Sequence, residues 1–213
     1  MKKSERIALV IIAVSFILGV YLYPSLPDSI ASHWNDRGEV DGYLGKFWGI
    51  FLLPIISVGA LLLFMIFSRI DPKRENIEKF RKHFDKIIIF IFLFFFYIHV
   101  LSLLWNLGYK FEFIKLFIPG FAVLFFFVGE GVENAEQNWT MGIRTPWTLS
   151  SESVWKKTHK ISGMLFKISS AIMLLGLLVS GYEFWFVIIP ILFSAFFGVV
   201  YSFVIFRSEK TQL

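Results

Sequence analysis

Six long apolar windows constrain this chain more than any other feature of its sequence. They cover residues 7–23, 47–67, 87–107, 113–132, 161–180 and 184–206. About 20 apolar residues in helical form cross a hydrocarbon core that is about 30 Å thick. Because lipid offers no partners for open backbone groups, such segments must be helices. The sequence therefore predicts an all-α integral membrane protein with about six transmembrane helices.

The composition excludes several kinds of functional site in this chain. Only 17% of the residues are charged and 56% are hydrophobic, whereas soluble domains carry roughly 25% charged residues. The chain has no cysteine, which excludes disulfides, thiolate metal sites and cysteine nucleophiles. His33 lies near Asp36, Glu39 and Asp41, but their spacing matches no metal-binding motif. We expect neither a metal ion nor a cofactor.

The distribution of positive charge predicts the orientation of the spans. If the N-terminus is cytoplasmic and each window crosses, 17 of the 21 lysines and arginines lie in inner segments. The four outer ones are Arg37, Lys46, Lys110 and Lys115. Cytoplasmic loops of membrane proteins carry such an excess of Lys and Arg. We therefore expect both termini to be cytoplasmic, and we read the net charge of +5 as this bias, with no direct nucleic-acid partner.

The connections between the windows suggest three regions. The first, residues 1–70, is a two-helix membrane region with an outer loop at 24–46. Charges at helical spacing, such as Glu75 with Lys79, predict that 71–86 is a cytoplasmic helical linker. Residues 87–213 form a four-helix membrane region with a cytoplasmic motif loop at 133–160.

The motif loop is rich in tryptophan and hydrogen-bonding side chains. Ser150 is expected to cap a helix whose first turn holds Glu152. That helix would carry Trp155, His159 and Gly163 on one face and continue into the fifth span. Trp and Lys at a membrane surface often serve only as interfacial anchors. Three tryptophans around a Gly-Ile-Arg-Thr-Pro core exceed what anchoring requires.

Two stretches carry a family resemblance. Residues 142–150 read Gly-Ile-Arg-Thr-Pro-Trp-Thr-Leu-Ser, followed by Trp155, Thr158 and His159. This pattern resembles the hallmark of the SdpI family of bacterial membrane proteins. The outer loop, with Leu-Pro-Asp-Ser-Ile at 26–30 and His-Trp-Asn at 33–35, is similar to the domain of unknown function that commonly precedes it. One departure is Glu130, where family members often have Asn.

The resemblance implies a non-enzymatic immunity protein that protects against a secreted cannibalism toxin peptide. It also implies signalling, in which the protein sequesters a cytoplasmic transcriptional repressor. The toxin would contact the outer loop, with candidate ligands His33, Trp34, Asn35, Asp41 and Tyr43. The inner partner would contact the motif residues Asn138, Gly142, Ile143, Arg144, Thr145, Pro146, Trp147, Thr148, Trp155, Thr158 and His159.

Polar side chains inside the spans cost free energy in lipid, so each is expected to have a structural or functional role. Glu130 and Glu133 lie near the cytoplasmic end of the fourth span, and Arg144 is available across the loop. We expect a structural ion pair there, with proton or ion handling as the alternative. His99 lies in the middle of the third span with Asn106 on helical spacing. An interhelical hydrogen bond is expected, and a proton relay is the alternative.

Two other classes of function remain open from the residues. A transporter or exporter of peptide or lipid could use Glu130 and His99 inside the membrane. A membrane enzyme could use Ser150, Ser151 and His159. The chain lacks a Gly-x-Ser-x-Gly nucleophile elbow, and the serines are better explained as helix caps.

Overall fold

The computed structural model describes residues 1–211 of the chain. The helices within this range are α1 (Lys3–Leu22), α2 (Lys46–Ile70), α3 (Arg74–Lys79), α4 (Arg81–Asn106), α5 (Phe113–Glu133), α6 (Pro146–Ser150), α7 (Glu152–Leu175) and α8 (Glu183–Thr211). Six of them, all except α3 and α6, are long and apolar enough to cross a bilayer. The predicted all-α membrane fold with six spans is confirmed.

The six long helices form two groups of three that meet along α4 and α5. In the first group α1 packs against α2 and α4, and α2 also contacts α4. In the second group α7 packs against both α5 and α8. The α4–α5 contact joins the groups. Large apolar side chains such as Ile17 and Phe196 are exposed on the outside of the bundle, where a soluble protein would place polar residues and lipid accepts apolar ones.

The closest helix packing is that of α5 on α7. A Cβ atom added to Gly163 would lie 2.6 Å from both the carbonyl oxygen of Gly129 and the backbone nitrogen of Glu133. Small residues let helices approach this closely in membranes, where van der Waals contact replaces the hydrophobic effect. The glycines therefore set the spacing of this helix pair.

A short β-hairpin occupies the segment that the sequence suggested was an outer loop. Strands β1 (Ser29–Trp34) and β2 (Val40–Gly45) pair antiparallel. Asn35 shapes the turn, because its side-chain oxygen accepts hydrogen bonds from the backbone of Arg37 at 2.9 Å and Glu39 at 3.0 Å. Gly38 completes it with a φ of +75°, which few other residues adopt readily.

The connections gather at two opposite ends of the bundle. We call the end with residues 23–45, 107–112 and 179–182 the hairpin end. The end with residues 71–80 and 134–151 is the motif end. The segment predicted as a helical linker is divided here, because α3 ends at Lys79 and α4 starts at Arg81. Phe80 is buried in the core that also holds Trp155.

Candidate functional site

Asn138 organises the start of the motif loop. Its side chain is fully buried. The side-chain oxygen accepts hydrogen bonds from the backbone of Thr140 at 2.9 Å and Met141 at 2.7 Å, and the amide donates to the carbonyl of Glu136 at 2.7 Å. A buried amide with these bonds uses most of its hydrogen-bonding capacity. In this structure Asn138 holds the loop in shape and is not exposed to a partner.

Asp71, at the end of α2, ties the motif loop to the preceding connection. One carboxylate oxygen accepts from the backbone of Trp139 at 2.9 Å and the hydroxyl of Thr140 at 2.6 Å. The other accepts from the backbone of Lys73 at 2.7 Å. The residue is only 4% exposed. Its charge is therefore compensated by hydrogen bonds from two separate segments.

Gln137 extends the same junction. Its amide donates to the carbonyls of Thr148 at 2.7 Å and Leu149 at 3.0 Å, and its side-chain oxygen accepts from Lys73. Its backbone carbonyl accepts from the side chain of Asn76 at 2.8 Å. Residues 71–76 and 137–149, which are far apart in the chain, thus form one hydrogen-bonded unit, which we call the motif junction.

Replacing Asp71 with alanine should lower the free energy of unfolding by about 2 kcal/mol, because buried donors lose a charged acceptor. Thermal or denaturant unfolding of the purified protein in detergent micelles measures this. Asp28→Ala is the matched control, since the Asp28 side chain is fully exposed and its distance to Lys46 is 3.8 Å. Equal losses from both substitutions would contradict the assigned role of Asp71.

Trp155 and His159 form the buried centre of the motif. The ring of Trp155 is fully buried, donates to the carbonyl of Ala135 at 2.7 Å and stacks on His159 with 3.8 Å between ring centres. His159 accepts from the backbone of Ile143 through Nε2 at 3.0 Å and contacts the carbonyl of Trp155 through Nδ1 at 2.9 Å. This pairing requires a neutral ring with its proton on Nδ1.

Gly142 is required by the same packing. Its φ of +115° lies in the left-handed region, and a Cβ atom there would collide with Nε2 of His159. The face predicted to carry Trp155, His159 and Gly163 is therefore packed inside the protein. These residues position the loop and offer no free functional groups.

Two threonines and a proline stabilise the short helix α6. Thr145 caps it, accepting from the backbone of Thr148 at 3.2 Å, and its hydroxyl lies 3.0 Å from that of Ser202. Pro146 occupies the first helical turn, where its missing N–H costs nothing. The hydroxyl of Thr148 donates to the carbonyl of Ile143 at 2.7 Å. Thr158 is also fully buried, so this part of the motif is structural as well.

The cap of α7 differs from the prediction by one residue. Ser151, and not Ser150, accepts from the backbone of Val154 at 3.3 Å. Ser150 instead ends α6 and donates to the carbonyl of Trp147 at 3.1 Å. The extra short helix α6 shifts the start of α7, which the sequence pattern did not reveal.

Few motif residues remain accessible. Arg144 and Pro146 are exposed, and Trp147 is half-buried with its ring 5.0 Å from that of Phe203. Trp139, which is not among the predicted site residues, is 51% exposed beside Arg144. Arg144 and Trp139 are therefore the accessible polar and aromatic side chains of this loop.

The predicted pairing of Arg144 with the acidic residues of α5 is wrong. Glu130 pairs with Lys86 at 2.7 Å and with His83 at 3.2 Å, and Glu133 pairs with Lys167. These cations belong to α4 and α7, the helices on either side of α5. Arg144 donates instead to the carbonyl of Trp139. The two carboxylates thus connect α5 to α4 and to α7 through ion pairs.

The five outer-loop candidates separate into two groups at the hairpin end. His33 contacts Asp41 across the strands at 2.5 Å, and Tyr43 is 60% exposed. Asn35 supports the turn. Trp34 points inward, since its ring stacks on Phe113 with 3.9 Å between ring centres. Of the five candidates, Trp34 is the one that connects the hairpin to the spans through an aromatic stack.

A cavity of about 500 Å³ opens beside Trp34. We call it the hairpin-end cavity. Polar hairpin residues line one side of it, and apolar residues of α5 and α8 line the other. The lining residues include His33, Trp34, Asn35, Asp36, Phe113, Ile114, Phe117 and Phe184. An apolar floor with a few polar groups at the rim is typical of ligand sites.

Two segments of the chain match known protein families. Residues 134–202, which hold the 137–149 segment of the motif junction, α7 and most of α8, match the SdpI/YfhL protein family. This part of the chain is similar to that family. Residues 10–58, which include the hairpin, match a domain of unknown function (DUF1648). The predicted resemblance is confirmed for both segments.

One named relative is similar to the chain over most of both lengths. The chain is 26% identical over 166 residues to the immunity protein SdpI of Bacillus subtilis (strain 168). The aligned region covers 78% of this chain and 77% of that protein. No solved structure matches the chain. With six apolar spans and this relationship, the protein is a multi-pass cell membrane protein related to immunity proteins.

Asn106 has a role that the sequence did not predict. Its side chain accepts from the backbone nitrogen of Ala31 at 2.8 Å and donates to the carbonyl of Ala31 at 3.0 Å. It thus completes the edge of strand β1 and fixes the hairpin to α4. The expected interhelical hydrogen bond of His99 is also wrong. Both His99 ring nitrogens are buried, and neither has a hydrogen-bond partner within residues 1–211.

Replacing Asn106 with leucine should loosen the hairpin, because both hydrogen bonds to Ala31 are lost together. The absence of native cysteine allows a single reporter, Ile30→Cys, at a fully buried hairpin position. We expect maleimide labelling of this reporter to become several-fold faster in the Asn106→Leu background. Unchanged labelling would contradict the proposed docking role, and Asn134→Leu at the exposed end of α5 serves as the control.

Proposed function

We propose that this protein is an immunity protein that confers resistance to a secreted antimicrobial toxin peptide of the cannibalism type. The observation that carries the proposal is its similarity to the immunity protein SdpI over most of both chains. The matched DUF1648 segment supplies the hairpin, and the SdpI/YfhL segment supplies α8. The hairpin-end cavity lies where these two segments meet α5.

The hairpin-end cavity suits an amphipathic peptide. Its floor includes Phe113, Ile114 and Phe117, which would accept apolar side chains. The rim belongs to a hairpin with the exposed carboxylates Asp36 and Glu39. Complementary charge of this kind raises the rate at which a cationic ligand arrives. A toxin peptide with cationic and apolar side chains fits both features.

This function requires the hairpin end to face outward. The distribution of lysine and arginine supports that orientation, since 17 of 21 would then lie on the cytoplasmic side. Membrane-impermeant labelling of Tyr43→Cys in intact cells tests it. Strong labelling of Tyr43→Cys with weak labelling of Trp139→Cys is expected, and the reverse pattern would overturn the orientation.

Signalling through a cytoplasmic repressor belongs to the same proposal. Arg144 and Trp139 are exposed side by side at the motif end, and Arg and Trp are the residues that dominate many protein interfaces. The rigid motif junction beneath them would present this pair in a fixed geometry. A protein partner at the motif end is therefore compatible with toxin reception at the hairpin end.

The geometry supports the other two functions less well. Glu130 and His99 would be the coupling groups of a transporter. Lys86, which pairs with Glu130, lies 13 residues before His99 on α4, about 20 Å along the helix axis. For an enzyme, Ser151 caps α7, Ser150 bonds to a backbone carbonyl and His159 has both nitrogens engaged. These contacts give each group a structural role.

Survival of toxin-sensitive cells tests the proposal. Cells that express this protein should survive the toxin peptide better than cells with an empty vector by at least about tenfold. Trp34→Ala should abolish protection, because it removes the wall of the hairpin-end cavity, whereas Trp139→Ala should protect as the wild type does. Membrane levels are matched by immunoblot. Absence of protection by the wild-type protein would overturn the proposal.

A further inference from the structure

Trp34 also borders a second cavity, of about 240 Å³, between the hairpin, α2 and α4. We call it the His99 cavity. Most of its wall is apolar and comes from α2 and α4. The lining residues include Ser32, Trp34, Trp48, Ile50, Leu52, Leu53, Ile56, Ile98, His99 and Leu103. The sequence drew attention to His99, and neither the motif junction nor the hairpin-end cavity accounts for it.

Two polar side chains at this cavity lack partners. His99 is 3% exposed. Both of its ring nitrogens, and the indole nitrogen of Trp34, are buried without a hydrogen-bond partner among residues 1–211. Buried polar groups are normally paired, and an unpaired one is destabilising. A ligand that supplied a hydrogen bond to His99 would remove this destabilisation and would therefore bind more tightly.

We propose that the His99 cavity binds an aromatic ring that carries a hydroxyl group, that is, a ligand of the phenol class. An engineered apolar cavity of about 150 Å³ in another protein binds benzene. A volume of about 240 Å³ therefore accommodates a ring with a substituent. A hydroxyl both donates and accepts, so it pairs with the neutral imidazole of His99 in either tautomer.

Access to the cavity is from the bilayer. Trp48, Leu52 and Ile56 line it and are 53%, 37% and 48% exposed on α2, and α2 is one of the six spans. A ligand must therefore partition into the membrane and still carry a polar group. Phenols and tyrosine side chains combine these properties, with an apolar ring and a polar tip.

The biological source of the ring rests on the proposed function. If the protein receives a toxin peptide at the hairpin end, a tyrosine of the membrane-inserted peptide is the source of the ring. A free phenol is the other source of the same chemistry. The two sources are separated by competition, which is the second arm of the experiment below.

The first arm measures the binding of 4-fluorophenol and of fluorobenzene to the purified protein in lipid nanodiscs by 19F NMR. Empty nanodiscs control for partitioning of the ligands into the lipid. The wild-type protein should bind 4-fluorophenol about fivefold more tightly than fluorobenzene, as one added hydrogen bond predicts. His99→Phe should abolish this preference, and Leu53→Trp should block both ligands by filling the cavity. His99→Met replaces His99→Phe if the latter is not monodisperse.

Equal binding of the two ligands by the wild-type protein, or a preference retained without His99, would overturn the inference. In the second arm the toxin peptide should displace bound 4-fluorophenol. A protein that protects cells while the peptide fails to displace the probe refutes the tyrosine source and leaves immunity standing. Phenol binding without any protection refutes the proposed function and leaves the cavity site standing.

Discussion

Replacing Trp155 with alanine should lower the free energy of unfolding by about 3–5 kcal/mol, the usual cost of removing a large buried aromatic side chain. Trp155 is fully buried, donates to the carbonyl of Ala135 and stacks on His159. The substitution removes all three contributions at once. Equilibrium unfolding in mixed micelles, in which a denaturing detergent is titrated into a mild one, measures the loss.

The matched control for this substitution is Trp139→Ala in the same loop. Trp139 is 51% exposed, so its removal should change the free energy of unfolding by less than about 1 kcal/mol. Trp155→Phe should fall between the two, because it keeps a ring and loses the N–H. Similar losses for Trp155→Ala and Trp139→Ala would show that the motif does not form the packed centre described here.

Replacing Gly163 with alanine should cost about 3 kcal/mol, the upper part of the usual range for overpacking. The added methyl group would lie 2.6 Å from backbone atoms of Gly129 and Glu133. Backbone atoms cannot rotate away, so α5 and α7 must separate along their contact. The same unfolding titration measures the effect, and the yield of monodisperse protein after size-exclusion chromatography should fall with it.

Gly59→Ala controls for the change of residue type inside a membrane helix. No heavy atom lies within 4 Å of a Cβ at Gly59, so alanine should be neutral there or stabilising by up to about 1 kcal/mol through helix propensity. A Gly163→Ala protein as stable as Gly59→Ala would contradict the close packing of α5 on α7.

The transmembrane spans were predictable because each depends only on the composition of its own segment of sequence. A run of about 20 apolar residues is sufficient for a helix in lipid, whatever its neighbours are. The start of α7 was harder to place, since α6 and the cap at Ser151 depend on the fold of the whole motif loop. Residues 24–46 were read as a loop because two short strands with a mixed pattern give little periodicity.

The contacts of the candidate site were less predictable because they join distant segments. Residue types alone did not reveal that Glu130 meets Lys86 or that Asp71 meets Trp139. The sequence correctly drew attention to the Gly-Ile-Arg-Thr-Pro motif, which lies in the segment that matches the SdpI/YfhL family. The side-chain roles depended on tertiary structure, and much of the motif, including Asn138 and His159, is buried.

Photo-crosslinking of the toxin peptide tests most directly whether it binds at the hairpin end. Benzoylphenylalanine would replace Ile114, which lines the hairpin-end cavity, or Glu136 at the motif end. After irradiation of intact cells with labelled peptide, the adduct should form from position 114 and not from position 136. An adduct that forms only from position 136, or none from position 114 in cells that the protein protects, would contradict reception of the toxin at the hairpin end.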